Sequence, residues 1–260
     1  MAYKAFDLSG KVAVVTGGNG GIGLGYADAI AQAGADVCIW GTNEAKNKLA
    51  AHQLAKHGRR VHHLVCDVSR KQDVDTAFER TLDEMGRVDA VFANAGVSGS
   101  KKSYFEIDEA EWRRVLGINL DGVHFTFQTA LRHMVARSES GDGGGRLIVT
   151  ASLASLSGAA RNEHYAATKG AVIALVRALA VEFARYGITA NAILPGWIET
   201  DMTADAIAWS KFADAVLPRV PMRRWGRPAD FGGIAVYLMS EASNFHTGDS
   251  ILIDGGYWIF

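Results

Sequence analysis

The sequence predicts an α/β fold: a single-domain, doubly wound parallel sheet of seven strands in the order 3-2-1-4-5-6-7, with helices on both faces. Three observations predict it. Strand-like and helix-like stretches alternate throughout, in units of roughly 25–35 residues. The strands are continuous apolar runs such as KVAVVTG (11–17), as expected where both faces of a sheet are covered. The first of them feeds a glycine-rich turn that opens a helix. Right-handed crossovers then wind the chain to either side of the first strand.

The elements follow in order. After KVAVVTG, the spacing predicts a helix over 22–33 and a second strand, DVCIWG, ending at Gly41. A polar helix over 44–57 stops at Gly58. VHHLVCDV is the third strand, ending near Asp67, and Ser69 is placed to cap a helix that runs to Met85. DAVFANAG, ending at Gly96, is the fourth. Asp108 starts a long helix whose middle, with Gly117 and Gly122, predicts a kink near Asn119. A glycine-rich loop precedes the fifth strand, RLIVTAS, and a helix to Tyr186 precedes the sixth, ITANAILPG. Residues 202–224 read as a mobile cap, within a substrate cap at about 197–226. Pro228 suits the first turn of a helix to Ser240, and DSILIDG is the seventh strand. No repeat divides the chain, so residues 1–260 read as one domain.

Composition excludes several function classes. A net charge of −1 offers no electrostatic case for nucleic acid or an anionic membrane. No apolar run is long enough to predict a membrane span, and the first residues lack the apolar core of a signal peptide. Cys38 and Cys66 fall in predicted core strands without a CxxC pattern, which fits a reducing cytoplasm. The eight histidines show no metal-ligand spacing, so no metal is expected; His62 and His63 read as strand-edge residues.

Two stretches carry chemistry. In TGGNGGIG (16–23), glycines permit a tight turn, and the following helix offers free N–H groups to a pyrophosphate. Gly18, Gly20 and Gly23 match GxGxxG. Gly17, Gly21 and Gly23 match TGxxxGxG, the preferred frame because the strand should end at Thr16–Gly17. In SLASLSGAARNEHYAATK (152–169), Tyr165 and Lys169 lie one helical turn apart on the same face. A neighbouring cation lowers a phenol's pKa toward the range useful for proton transfer. Ser152 is placed to hold the oxygen that exchanges the proton. Thr16, Asn94, Ser152 and Pro195 all sit at predicted strand C-termini, the edge where such sheets bind ligands.

With these motifs in order, the chain resembles the short-chain dehydrogenase/reductase family over essentially its whole length. The resemblance implies a Rossmann-like fold and a nicotinamide cofactor exchanging hydride with a secondary alcohol or ketone. Ser152, Tyr165 and Lys169 would be catalytic, with Lys169 also binding the nicotinamide ribose. Asn119, in GINLDG, would position a proton-relaying water. The cofactor set would comprise Gly17, Asn19, Gly20, Gly21 and Ile22 in the turn, with Thr42 after the second strand. Asp67, with Val68, would meet the adenine, and ANAG contributes Asn94, Ala95 and Gly96. PGWIET contributes Pro195, Gly196, Ile198 and Thr200. ANAG stands where NNAG is commoner in the family.

The C-terminal segment resembles those of sugar-acid and polyol dehydrogenases, and also of 3-oxoacyl-thioester reductases. Arg219, Arg223, Arg224 and Arg227 would supply the latter with a docking patch for an acidic carrier. A third alternative is a nicotinamide-sensing protein without turnover. Expected pocket walls are Ser152, Leu153, His164, Trp197, Met202 and Trp209. NAD is expected in modest preference to NADP, because Gly20 and Thr42 stand where a cation would pair with a 2′-phosphate, while Lys46 reads as solvated. The resemblance implies a homotetramer, and the apolar tail after Gly256 is an association hazard if left exposed.

Overall fold

The computed structural model describes residues 3–260. Seven strands form one parallel sheet in the order β3-β2-β1-β4-β5-β6-β7. They are β1 (Val12–Thr16), β2 (Asp36–Gly41), β3 (Val61–Val65), β4 (Ala90–Ala93), β5 (Gly145–Thr150), β6 (Ile188–Pro195) and β7 (Ser250–Ile253). The intervening helices are α1 (Gly21–Gln32), α2 (Glu44–Ala55), α3 (Lys71–Met85), α4 (Glu109–Leu116), α5 (Gly122–Glu139), α6 (Ala154–Ser157), α7 (Glu163–Phe183), α8 (Ala204–Ala208), α9 (Ser210–Val216) and α10 (Gly232–Met239).

The period-two direction of strand side chains divides the core into two layers. Val12 and Val14 point to one layer, with Phe78 of α3, Phe127 of α5 and Val172 of α7. Ala13 and Val15 point to the other, with Tyr26 of α1, Leu54 of α2 and Leu238 of α10. The predicted order therefore holds, with several ends shifted. The third and fourth strands stop at Val65 and Ala93, and α2 stops at Ala55. Ser69 does not cap α3, because its hydroxyl donates to Asp67 Oδ1 at 2.7 Å. The turn after Pro228 is a 3₁₀ turn, with α10 starting only at Gly232. The long helix from Asp108 is two helices joined by a π turn over Gly117–Asp121, where the kink was expected. Cys38 and Cys66 are buried and free.

Strand order reverses between β1 and β4, and the turn after β1 opens into that crevice. Gly17 and Gly21 have φ of +63° and +49°, the left-handed region that favours glycine. A Cβ on Gly23 would collide with the Gly17 carbonyl and the Asn94 amide. Gly20 is extended (φ −176°) with open space around its Cβ position. Gly23 is common to both frames and a Cβ on Gly18 would also meet Ile39, so the frame Gly17, Gly21, Gly23 rests on the left-handed Gly17 and Gly21 and on the unconstrained Gly20. We therefore expect Gly23→Ala to cost about 1–3 kcal/mol by overpacking. Gly20→Ala should stay within about 0.5 kcal/mol of the parent. Thermal unfolding of the two ligand-free variants checks this; equal melting temperatures would refute the frame.

Candidate active site

The crevice is fixed by hydrogen bonds between strand ends. Thr16 Oγ1 accepts from the backbone N–H groups of Asn94 and Ala95, both at 3.0 Å. Asn94 Nδ2 donates to the Thr16 carbonyl at 3.1 Å, and its Oδ1 accepts from Thr150 Oγ1 at 3.0 Å. No side chain caps α1, so its first N–H groups are open to an anion. The cleft beside the turn is lined by Gly17, Asn19, Gly20, Gly21, Ile22, Asn94, Ala95 and Gly96. Pro195, Gly196, Ile198 and Thr200 line its other side, with Ser152, Tyr165 and Lys169 at its end. These predicted residues are thus brought together, and the open N–H groups among them suit the pyrophosphate of a dinucleotide. Thr42, Asp67 and Val68 are outside this lining, beyond the ends of β2 and β3. Asp67 Oδ1 accepts from the N–H and hydroxyl of Ser69.

Lys169 is 5% exposed and donates to the Thr150 carbonyl at 2.7 Å, with no carboxylate in ion-pair range. Burial drops its pKa to about 8. Its ammonium sits over the Tyr165 ring, 5.5 Å from the centroid. Burial holds the Tyr165 phenol above its ordinary value, and the Ser152 hydroxyl pulls it down. This corrects the expectation that Lys169 lowers the phenol's pKa, because burial dominates both groups. Asn119 is fully buried in the π turn. Its Oδ1 accepts from Val97 N–H at 2.8 Å, and its Nδ2 donates to the Val97 carbonyl at 2.9 Å and to Thr168 Oγ1 at 3.3 Å. Both Asn119 amide donors and one lone pair of its Oδ1 are therefore taken by protein partners.

A second cavity of about 560 Å³ adjoins the cleft and shares Ser152 and Tyr165 with it. Leu153, Trp197 and Met202 line it as expected. His164 and Trp209 do not. His164 is fully buried, with Nε2 3.5 Å from Glu111 Oε1, and Trp209 is 59% exposed outside the lining. Phe212 takes the wall position, edge-on to Trp197 at 4.8 Å between ring centroids. The residue reading missed Lys101, Arg161 and Asn162 in this cavity, which lie in loops without periodicity. Lys46 is also not free: it lines the cofactor cleft and pairs with Asp201 at 2.9 Å.

The depressed pKa of Lys169 has a stability consequence. Below pH 8 both folded and unfolded chains hold this proton, and the burial penalty is full. Between pH 8 and 10.5 the unfolded chain holds more protons, so this group's contribution to stability rises with pH. The gap corresponds to roughly 3 kcal/mol. Lys169→Met should therefore gain stability over the parent at pH 7 and lose that advantage by pH 10.5. Urea unfolding of both proteins across this range measures it; a difference independent of pH would contradict the burial effect.

Residues 17–258 match the family described as enoyl-(acyl carrier protein) reductase. The chain is 35% identical over 257 residues to a 2-dehydro-3-deoxy-D-gluconate 5-dehydrogenase of Escherichia coli K12, covering 99% of each. It is 34% identical to the 5-keto-D-gluconate 5-reductase of the same strain, covering 96% of each. It is also 34% identical to the 3-oxoacyl-[acyl-carrier-protein] reductase FabG of Chlamydia pneumoniae, covering 96% of this chain and 97% of that one. Among solved structures, a gluconate 5-dehydrogenase from Burkholderia cenocepacia J2315, in complex with NADP and tartrate, superposes with a TM-score of 0.93 at 33% identity over all of both chains. Matched from end to end in sequence and in fold, the chain belongs to the short-chain dehydrogenase/reductase family.

Proposed function

We propose that the protein is an NAD(P)-dependent oxidoreductase that interconverts a secondary alcohol and a ketone on a sugar acid or polyol. The observation that carries this reading is the shared wall: Ser152 and Tyr165 face both the dinucleotide cleft and the adjoining cavity. The nicotinamide cofactor, when bound in the cleft, supplies or accepts the hydride. The open N–H groups of α1 and the glycine turn hold its pyrophosphate. Tyr165 gives or takes the proton on the substrate oxygen, and Ser152 donates a hydrogen bond to that oxygen. Lys169 supplies positive charge beneath the phenol and a donor for the ribose hydroxyls. Asn119 maintains the π turn beside Lys169, where a relay water would sit. Residues 197–226 form the cap over the substrate. The sugar-acid assignment follows the named relatives.

Two alternatives are weaker. A carrier-docking patch needs free arginines, yet Arg224 pairs with Asp230 at 2.6 Å and Arg227 with Glu199 at 3.6 Å. Arg219 is stacked on Tyr257. A sensor without turnover has no use for Ser152, Tyr165 and Lys169 assembled together.

For the cofactor, the chain's own residues favour NAD(H) modestly, although three similar solved structures hold NADP. A Cβ on Gly41 would collide with Asn19 and Asn47, whose side chains share a 2.6 Å hydrogen bond, so no carboxylate fits at that position. Neither Gly20 nor Thr42 is cationic, and Lys46 is held by Asp201. A 2′-phosphate would meet that exposed carboxylate as well as the lysine.

A homotetramer is proposed as the assembly. Tyr257 packs on Arg219, while Trp258, Ile259 and Phe260 beyond it are 45%, 84% and 69% exposed. An apolar groove between α5 and α7, lined by Phe127, Leu131, Val135, Leu175, Leu179 and Phe183, offers a second surface for another copy. A cytoplasmic location fits the two free cysteines.

Three outcomes are expected. Tyr165→Phe should lower kcat by about 10²–10⁴-fold while cofactor binding persists; kcat near that of the parent would sink the assignment. With one ketone as substrate, kcat/KM for NADH should exceed that for NADPH, and Asp201→Asn should narrow the gap; a higher parental value for NADPH overturns the preference. Light scattering at micromolar concentration should show a tetramer rather than a monomer.

A further inference from the structure

The substrate cavity has a charged side that the proposed chemistry does not use. Its lining includes Lys101 and Arg161 and not one aspartate or glutamate. Among the described residues, neither cation has a carboxylate within ion-pair distance. Of the nearby acids, Glu111 pairs with Arg114 at 2.8 Å while its charge also reaches Lys101, and Glu163 Oε1 accepts from the Arg161 backbone N–H at 2.8 Å with its Oε2 left unpartnered. Lys101 is half-buried and Arg161 exposed, so both present positive charge to an anion entering this side of the cavity.

The two residues are held side by side by the backbone. The loop after β4 and the loop before α7 are stapled by Lys101 N–H donating to the Arg161 carbonyl at 2.9 Å. Asn162 Nδ2 donates to Ser98 Oγ at 2.8 Å, joining the same loops. Arg161 has φ of +68°, left-handed backbone that is unfavourable for a residue with a Cβ. Glycine would relax there; this chain instead holds an arginine in that conformation, its N–H and C=O both tied down. Such an outlier in a site wall directs attention to what the side chain does.

We infer that Lys101 and Arg161 bind the carboxylate of a polyhydroxy keto acid whose reacting carbonyl lies at Ser152 and Tyr165. This names the charged end of the substrate and rests on the sugar-acid reading above. An arginine presents paired N–H groups that match a carboxylate, and a lysine adds a flexible point charge. The opposite side, built from Leu153, Trp197, Met202 and Phe212, has no group that would compete for the anion. The pair would therefore discriminate between sugar acids and neutral ketoses.

The test uses compounds that differ only at one end. 5-Keto-D-gluconate has a carboxylate where L-sorbose has a hydroxymethyl group, and D-gluconate is related to D-glucitol in the same way. The variants are Lys101→Met, Arg161→Asn (asparagine tolerates left-handed backbone), the double variant and Arg161→Lys. In the double variant, KM for 5-keto-D-gluconate should rise more than tenfold with kcat changed less than threefold, the pattern of lost uniform binding. L-Sorbose parameters should move less than threefold, and Arg161→Lys should keep part of the acid's affinity. Calorimetry on the cofactor-loaded proteins should show D-gluconate binding weakened more than tenfold and D-glucitol binding unchanged. Equal losses for acid and neutral compounds, or no loss for the acid, would overturn the inference. A parent that reduces neither ketone would refute the substrate reading separately, and the calorimetry would still decide the carboxylate contact.

Discussion

Everything at the site depends on how β1, β4 and β5 are tied together where strand order reverses. A parallel sheet leaves a gap there, because the chains leaving β1 and β4 turn to opposite faces. Thr16 and Asn94 bridge it by exchanging hydrogen bonds, and Thr150 extends the bridge to β5. The same Thr150 presents its carbonyl to Lys169. One short lattice of threonine and asparagine groups thus sets the position of the glycine turn relative to the buried ammonium. It also explains why the Gly23 position has no room for a side chain: the Asn94 amide occupies that space.

A second constraint comes from the helical layer. The π turn carries Asn119 inward, where it clasps the Val97 backbone from both sides. That clasp holds the start of the loop carrying Ser98 and Lys101, while Arg114 of the preceding helix donates to the Ser98 carbonyl. The irregular turn therefore does structural work for the substrate cavity as well as lying beside Lys169. π turns within α-helices are frequently found at functional sites.

Much of this was legible in the residues. The strand order follows from alternation and crossover handedness, and the glycine frame from the place where β1 must end. The proximity of Tyr165 and Lys169 follows from helical spacing. What was not legible depended on long-range approach or on rotation about a helix. His164 is adjacent to Tyr165 but lies about 100° further round the helix, which turns it from the cavity into the packing against α4. Lys46 and Asp201 come from distant parts of the chain, and nothing in either segment announces the other. Lys101 and Arg161 sit in loops joined by a backbone hydrogen bond that any sequence could make and by an Asn162–Ser98 contact far apart in the chain. Ser69 had the composition of a cap, and the competing carboxylate of Asp67, two residues away, captured its hydroxyl.

The two cysteines, set into the layer beneath the sheet, give the protein a particular chemical temperament. Burial pushes the Cys38 thiol up to about 11 and the Cys66 thiol up to about 12. The thiolate is the species that alkylating agents and peroxides attack, and at neutral pH almost none of it exists here. Neither cysteine therefore offers oxidants a reactive thiolate, which leaves the thioether of Met202, 51% exposed in the wall of the cleft, as the sulfur nearest the chemistry that an oxidant can reach.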